Sequence, residues 1–191
     1  MRAVRKAVKR GDLAGLIELT RLPDPGGAAQ ALEGIFEVLD EHPELARESR
    51  AAIRDAGLAR LRDPDDRTRA AAVGIVILVR DPSAPTVVVN ALDDPSPRVR
   101  FNGLLGVIFL KPPGCLPRVL ELLDDESPNV RTWAAAALER VGDATTVAAL
   151  SQARTRERDS VVQDRIDETV AILEGRRPAT PIEPSIWEAA E

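Results

Sequence analysis

The sequence predicts an all-α fold, a right-handed α-solenoid of about five stacked helical hairpins. Three observations carry that expectation. First, the segments RDPDDRTRAAAVGIVILVRD (62–81), DDPSPRVRFNGLLGVIFLKP (93–112) and DDESPNVRTWAAAALERVGD (124–143) align without a gap at an offset of 31 residues. A period near 30 with two helical patterns per unit marks hairpins that cannot bury their apolar faces alone and must stack on their neighbours. Second, Ala, Leu and Val carry the apolar load, with aromatics at 3% and no Tyr, which suits helices packed closely through small side chains. Third, the segments open on Asp-Pro or Ser-Pro pairs. Such a pair ends one helix and caps the next, because Asp or Ser accepts free amide protons and Pro suits the first turn.

Along the chain, residues 2–10 and 12–21 form an amphipathic opening pair, and 27–40 and 44–61 read as two longer helices. The expected organisation is one solenoid over 1–175, with cap hairpins in 1–57 and recognisable repeats in 58–175. Within the repeats, a short amphipathic helix (85–92, 116–123, 147–153) precedes each boundary, and a longer second helix runs on from the Val-Arg pair or its match. A fourth, degenerate copy has one extra residue and places Val162 and Gln163 at the Val-Arg positions. Its last strongly periodic stretch is 160–173. The remainder, 176–191, is a Pro-rich tail expected to be extended.

The bulk numbers bound the function. A chain of 191 residues with 44% hydrophobic and 30% charged residues is a folded domain or short repeat array, not a disordered segment. A net charge of −5 argues against a general nucleic-acid binder. The apolar runs 70–79 and 101–110 are too short to span a bilayer. The N-terminus MRAVRKAVKRGDLAGL has neither the apolar core nor the cleavage pattern of a secretory leader, so a cytoplasmic location is expected. Cys115 is the only cysteine, which excludes an intramolecular disulfide and a cysteine metal cluster.

The pattern D-x-S-P-x-V-R-x-x-A-A-x-A-L-x-x-V-G-D at 125–143 resembles a HEAT repeat. It is most similar to the short HEAT-like repeats first named for the bilin lyases of phycobilisomes, and the resemblance covers roughly 58–175. It implies a binding scaffold rather than an activity. It also implies a ladder of hydrogen bonds between adjacent repeats, made by the turn residues Asp63, Asp94 and Asp125 with the helix residues Arg69, Arg100 and Arg131. The fourth copy offers no clear pair, so the ladder is expected to stop before it.

No catalytic or metal-binding constellation stands out. His42, the only histidine, precedes Pro43 and reads as a capping or surface residue. Cys115 follows Pro112, Pro113 and Gly114 and reads as a small half-buried residue at a helix start rather than a reactive thiol. The acidic doublets recur at the repeat period and read as caps, and Gly26-Gly27 lacks the Lys-Ser of a phosphate loop. The chain therefore reads as a non-catalytic scaffold or adaptor that needs no cofactor. Two readings of other classes stand beside it. One is a nucleic-acid binder using the cluster Arg2, Arg5, Lys6, Lys9 and Arg10. The other is a chromophore (bilin) lyase-like protein, implied by the family name alone.

The helix over 97–110 locates the candidate binding site. At 100° per residue, Val99, Gly103, Val107 and Leu110 share the core side, and Phe101, Leu105 and Ile108 lie opposite. In HEAT-like hairpins the second helix lines the concave surface. The predicted partner-binding strip is Ile77, Phe101, Leu105, Ile108 and Phe109, flanked by Asn102 and Trp133. Contiguous exposed apolar strips mark interfaces, so the groove would take a protein partner or a second copy of the chain. Other possible covers are the tail residues Ile182, Ile186 and Trp187, and the chain's own helices near Phe36.

Overall fold

The structure, a computed structural model, describes residues 2–22, 24, 26–143 and 145–179. Among them are eleven α-helices and no strand, as the repeat pattern predicts. The tail residues Ile182, Ile186 and Trp187 lie outside the described residues. The described residues form two compact units, one over 2–84 and one over 85–179.

The first unit holds α1 (Arg2–Val8), α2 (Leu13–Leu19), α3 (Gly27–Glu41), α4 (Leu45–Leu58) and α5 (Asp66–Leu78). Their apolar stripes meet in one core that includes Leu16, Leu32, Ile35, Leu39, Ile53 and Ile75, with Phe36 half-buried against it. Gly57 is where α4 meets α5. A Cβ there would sit 2.6 Å from Ile75 Cγ2, so no other residue fits without moving the helices. Arg60 ties α4 back to the end of α2. Its guanidinium donates to the carbonyls of Thr20 (Nε, 2.8 Å) and Leu22 (3.2 Å) and to Asp63 (3.0 Å). On α1, Val4 and Ala7 are buried while Arg2, Arg5, Lys6, Lys9 and Arg10 are exposed, the arrangement of a solvated amphipathic helix. His42 is likewise near the surface, with Nδ1 3.4 Å from Glu44.

The second unit contains α6 (Ala84–Ala91), α7 (Pro97–Leu110), α8 (Leu116–Glu121) continued by a 3-10 turn over Leu122–Asp124, α9 (Pro128–Val141), α10 (Thr146–Arg156) and α11 (Ser160–Leu173). The long helices α7, α9 and α11 stack side by side, each the second helix of a hairpin. On the expected core side of α7, Val99, Gly103 and Val107 are buried, while Leu110, the last residue of the helix, is half-buried. Val99, Leu104, Val107, Val130, Ala134 and Leu138 are all buried. Gly103 permits the close approach of α7 to α6, because a Cβ on it would lie 3.0 Å from Leu92 Cδ2 and 3.2 Å from the Ala91 backbone. Cys115 is buried at the start of α8, and burial pushes its thiol above the ordinary range. That is the behaviour of a small core residue.

Two boundary details differ from expectation. Asp65 and Asp159 cap α5 and α11 by accepting amide protons, but Ser96 and Ser127 precede α7 and α9 without doing so. There the preceding Asp does the work. Asp94 accepts from the Ser96 amide (2.8 Å) and Asp125 from the Ser127 amide (2.9 Å), closing an Asx turn that aims the chain into the helix. At the other end, the matched residues Arg80 and Lys111 both terminate their helices with φ of 47°, a left-handed conformation glycine adopts more readily. The third copy does place a glycine there, Gly142, yet its φ is −78°.

Candidate functional site

The ladder implied by the resemblance is present in the second unit and extends further than expected. Arg100 projects from α7 with its side chain 9% exposed and grips Asp125, which is 6% exposed, through Nε (2.7 Å) and Nη2 (2.9 Å). Its Nη1 donates to the carbonyls of Asp94 (3.0 Å) and Pro95 (2.9 Å). One guanidinium thus joins its own turn to the turn of the next repeat, a planar fork suited to two acceptors at once. Arg131 repeats the arrangement. Nη1 donates to Asp125 O (2.8 Å), and Nε and Nη2 reach Glu157 at 2.6 and 3.0 Å.

The ladder therefore does not stop before the fourth copy. The extra residue places Glu157 where an Asp would stand, and its carboxylate also accepts the amides of Arg158 (2.8 Å) and Asp159 (2.9 Å). With Arg131 foremost among these donors, the Glu157 carboxyl is lowered to about 2. Gln163, at the Arg position, keeps only the turn half of the bond, donating to Glu157 O at 2.7 Å. Sliding the fourth copy by its one-residue insertion was the sequence signal that reveals this pair. In the first unit, Arg69 makes the same turn bonds, to Asp63 O (2.9 Å) and Pro64 O (3.2 Å).

The opposite side of α7, α9 and α11 is a face in four register-matched rows. The first is Arg98, Asn129 and Val161; the second Asn102, Trp133 and Arg165; the third Leu105, Ala136 and Glu168; the fourth Phe109, Arg140 and Ile172. Phe109 is 49% exposed and Val161 66%. Phe101, Asn102, Leu105 and Trp133 are half-buried, and Asn102 Nδ2 donates to Arg98 O at 3.2 Å. Phe101 packs edge-on against Trp133, with ring centroids 5.2 Å apart and planes at 82°, a favoured aromatic geometry.

The structure removes Ile108 from the expected strip. It is buried, at 9%, because it lies on the flank of α7 that faces the next long helix rather than at the centre of the open face. Its match on α9, Glu139, is also buried and bonds Arg165 at 2.6 Å. Ile77 lies in the first unit, half-buried on α5. The open strip of the second unit is thus Phe101, Leu105 and Phe109 with Trp133 and Asn102.

Residues 103–171 match the family model for HEAT repeats. No curated protein sequence matches the chain. Among solved structures, the chain is similar to a designed armadillo repeat protein in complex with the peptide (KR)4, at 18% identity and a TM-score of 0.64 over 87% of this chain and 85% of that one. It is similar to another designed armadillo repeat protein made for modular peptide recognition, at 18% identity and a TM-score of 0.62 over 87% and 84% of the two chains. It is also similar to a chain of the complex of CpcE and CpcF, of phycocyanin lyase from Nostoc sp. PCC7120, at 19% identity and a TM-score of 0.60 over 86% and 98%. At such identities the likeness is one of fold, an all-α solenoid. Among the described residues, no helix is long and apolar enough to cross a membrane, and no group of acidic, His or Cys side chains is placed to hold a metal ion.

Proposed function

We propose that this protein is a non-catalytic scaffold that holds a segment of a protein partner on the open face of α7 and α9. The observation that carries the reading is Phe109, half exposed and one turn on from Leu105, on the helix whose Phe101 packs against Trp133 of α9. Full burial of a Phe or Leu side chain contributes about 1.5–3 kcal/mol, so a partner that covers this strip gains what folding leaves unused. The ladder supports the same reading. Arg100 and Arg131 fix the spacing of consecutive long helices, and a rigid face binds with less ordering cost than a mobile one. The designed armadillo neighbours, made for peptide recognition or holding a peptide, have this general architecture.

The test is selection from a displayed random-peptide library against the intact chain, with Phe109→Asp as the counter-selection. Peptides retained by the wild type and lost by the variant, at unchanged helical content and melting temperature, are the expected result. Peptides held equally well by both proteins would place the binding elsewhere.

A further inference from the structure

Helix α1 and the turn after it are cationic in an acidic chain. Residues 2–11 hold Arg2, Arg5, Lys6, Lys9 and Arg10 and no carboxylate, so +5 there stands against −10 in the rest of a chain whose net charge is −5. All five side chains are exposed, and none has a partner among the described residues. That separates them from Arg100, Arg131 and Arg165, each closed in an ion pair. The helices packed on α1 are α2 and α3. On the α2 side, Asp12 accepts the Gly15 amide (2.8 Å) and Glu18 holds Arg21 (2.6 Å). On α3, Glu33, Glu37, Asp40 and Glu41 are exposed and pair with none of the five cations. The cationic side is also fixed outward. At 100° per residue it lies opposite Val4, Ala7 and Val8. Val4 and Ala7 are buried, and Val8 sits so close on Gly34 of α3 that a Cβ there would lie 2.9 Å from it.

We infer that the cationic side of α1 is a docking site for the phosphate backbone of a double-stranded nucleic acid, held through charge and without reading its sequence. From Arg2 to Arg10 the helical rise is about 12 Å. Duplex DNA carries one phosphate per about 1.7 Å of its axis, so about seven phosphates fall within that length. Three of the five cations are arginines, whose planar fork suits phosphate oxygens. Two other polyanions match the helix less well. Stable grip on an anionic bilayer needs an amphipathic helix to bury its apolar side among the lipids, and that side of α1 is committed to the core. An acidic protein segment forms an interface with an apolar centre, and the only exposed apolar residue among 2–10 is Ala3. The acidic remainder of the chain repels the same phosphates, so approach with α1 foremost is the favourable one.

The experiment titrates a fluorescent DNA duplex of mixed sequence with the full chain and follows anisotropy from about 50 to about 200 mM salt. Binding is expected at the lower salt, with log K falling against log salt at a slope of about −4.5, the value for five phosphate contacts. A duplex of unrelated sequence should bind alike, because phosphate contacts carry no sequence information. Lys6→Gln combined with Lys9→Gln, both on the exposed side, should keep the helical content. It should flatten the slope to about −2.7 and weaken binding on the order of 100-fold at about 50 mM salt. Absence of duplex binding at the lower salt, or a slope that the double variant leaves unchanged, would overturn the assignment. Capture by phosphatidylserine vesicles without capture by the duplex would overturn it in favour of a membrane surface. Polyglutamate held more tightly than the duplex would overturn it in favour of an acidic protein segment. The apolar strip of α7 and α9 belongs to the second unit, and its test is separate from this one.

Discussion

Replacing Glu157 with Gln removes one charge and almost no volume from the last interrepeat rung, which makes the ladder's contribution measurable. In the native chain this carboxylate is 6% exposed and holds the Arg131 guanidinium at 2.6 and 3.0 Å. Its protonation is pushed down from 4.5 to about 2 by that pair and by the amides of Asp159 and Arg158. A carboxylate stabilised to that degree contributes up to about 3 kcal/mol at neutral pH, in the range expected for a buried charge-assisted pair. The sign follows from the direction of the shift. Because the folded form holds the proton less tightly than the unfolded form, the contribution is complete above about pH 4.5 and fades as pH falls toward 2. Urea denaturation followed by circular dichroism should therefore show Glu157→Gln about 2–3 kcal/mol less stable than wild type at pH 7. The two proteins should converge as pH falls from about 4.5 toward 2, where the native carboxyl becomes neutral too. A difference that stays constant from pH 7 to pH 3, or that is absent at pH 7, would refute the argument.

Other positions give simpler readouts. Ile108→Asp places a charge in a buried site and should destabilise the second unit by more than about 3 kcal/mol, whereas Phe109→Asp, one residue on and exposed, should alter the melting temperature little; equal losses would contradict the division between core and open face. Lys111→Gly relieves a left-handed residue at the end of α7 and should raise stability by about 0.5–1 kcal/mol in the same urea assay. Gly103→Val forces atoms into the contact between α7 and α6 and should cost about 1–3 kcal/mol, read as a lowered urea midpoint. The Cys115 thiol, buried and shifted upward, should react with a chromogenic disulfide reagent only in denaturant; rapid native labelling would show that α8 opens.

The repeat period, the helix boundaries and the core side of each long helix were legible in the sequence because they are local. They depend on spacings of three, four and 31 residues, and a stack of like units repeats the same burial in every copy. Val99, Val107, Val130 and Leu138 could be assigned to the interior by angle alone. Part of the open strip was legible for the same reason, since Phe101, Leu105 and Phe109 lie away from that interior.

What the tertiary structure decided concerns neighbours rather than period. Ile108 and Phe109 are adjacent and both apolar, yet one is sealed and the other open. The difference is set by which flank of α7 meets the next long helix, a relation between helices that a single-helix projection does not contain. The fate of Glu139 was hidden in the same way, since only the stacking of α11 brings Arg165 to it. Glu157 entered the ladder because a longer side chain, carried by a one-residue insertion, reaches the same guanidinium that Asp reaches elsewhere. Periodicity determines which side of a helix is buried; the packing of one hairpin on the next determines where that side ends.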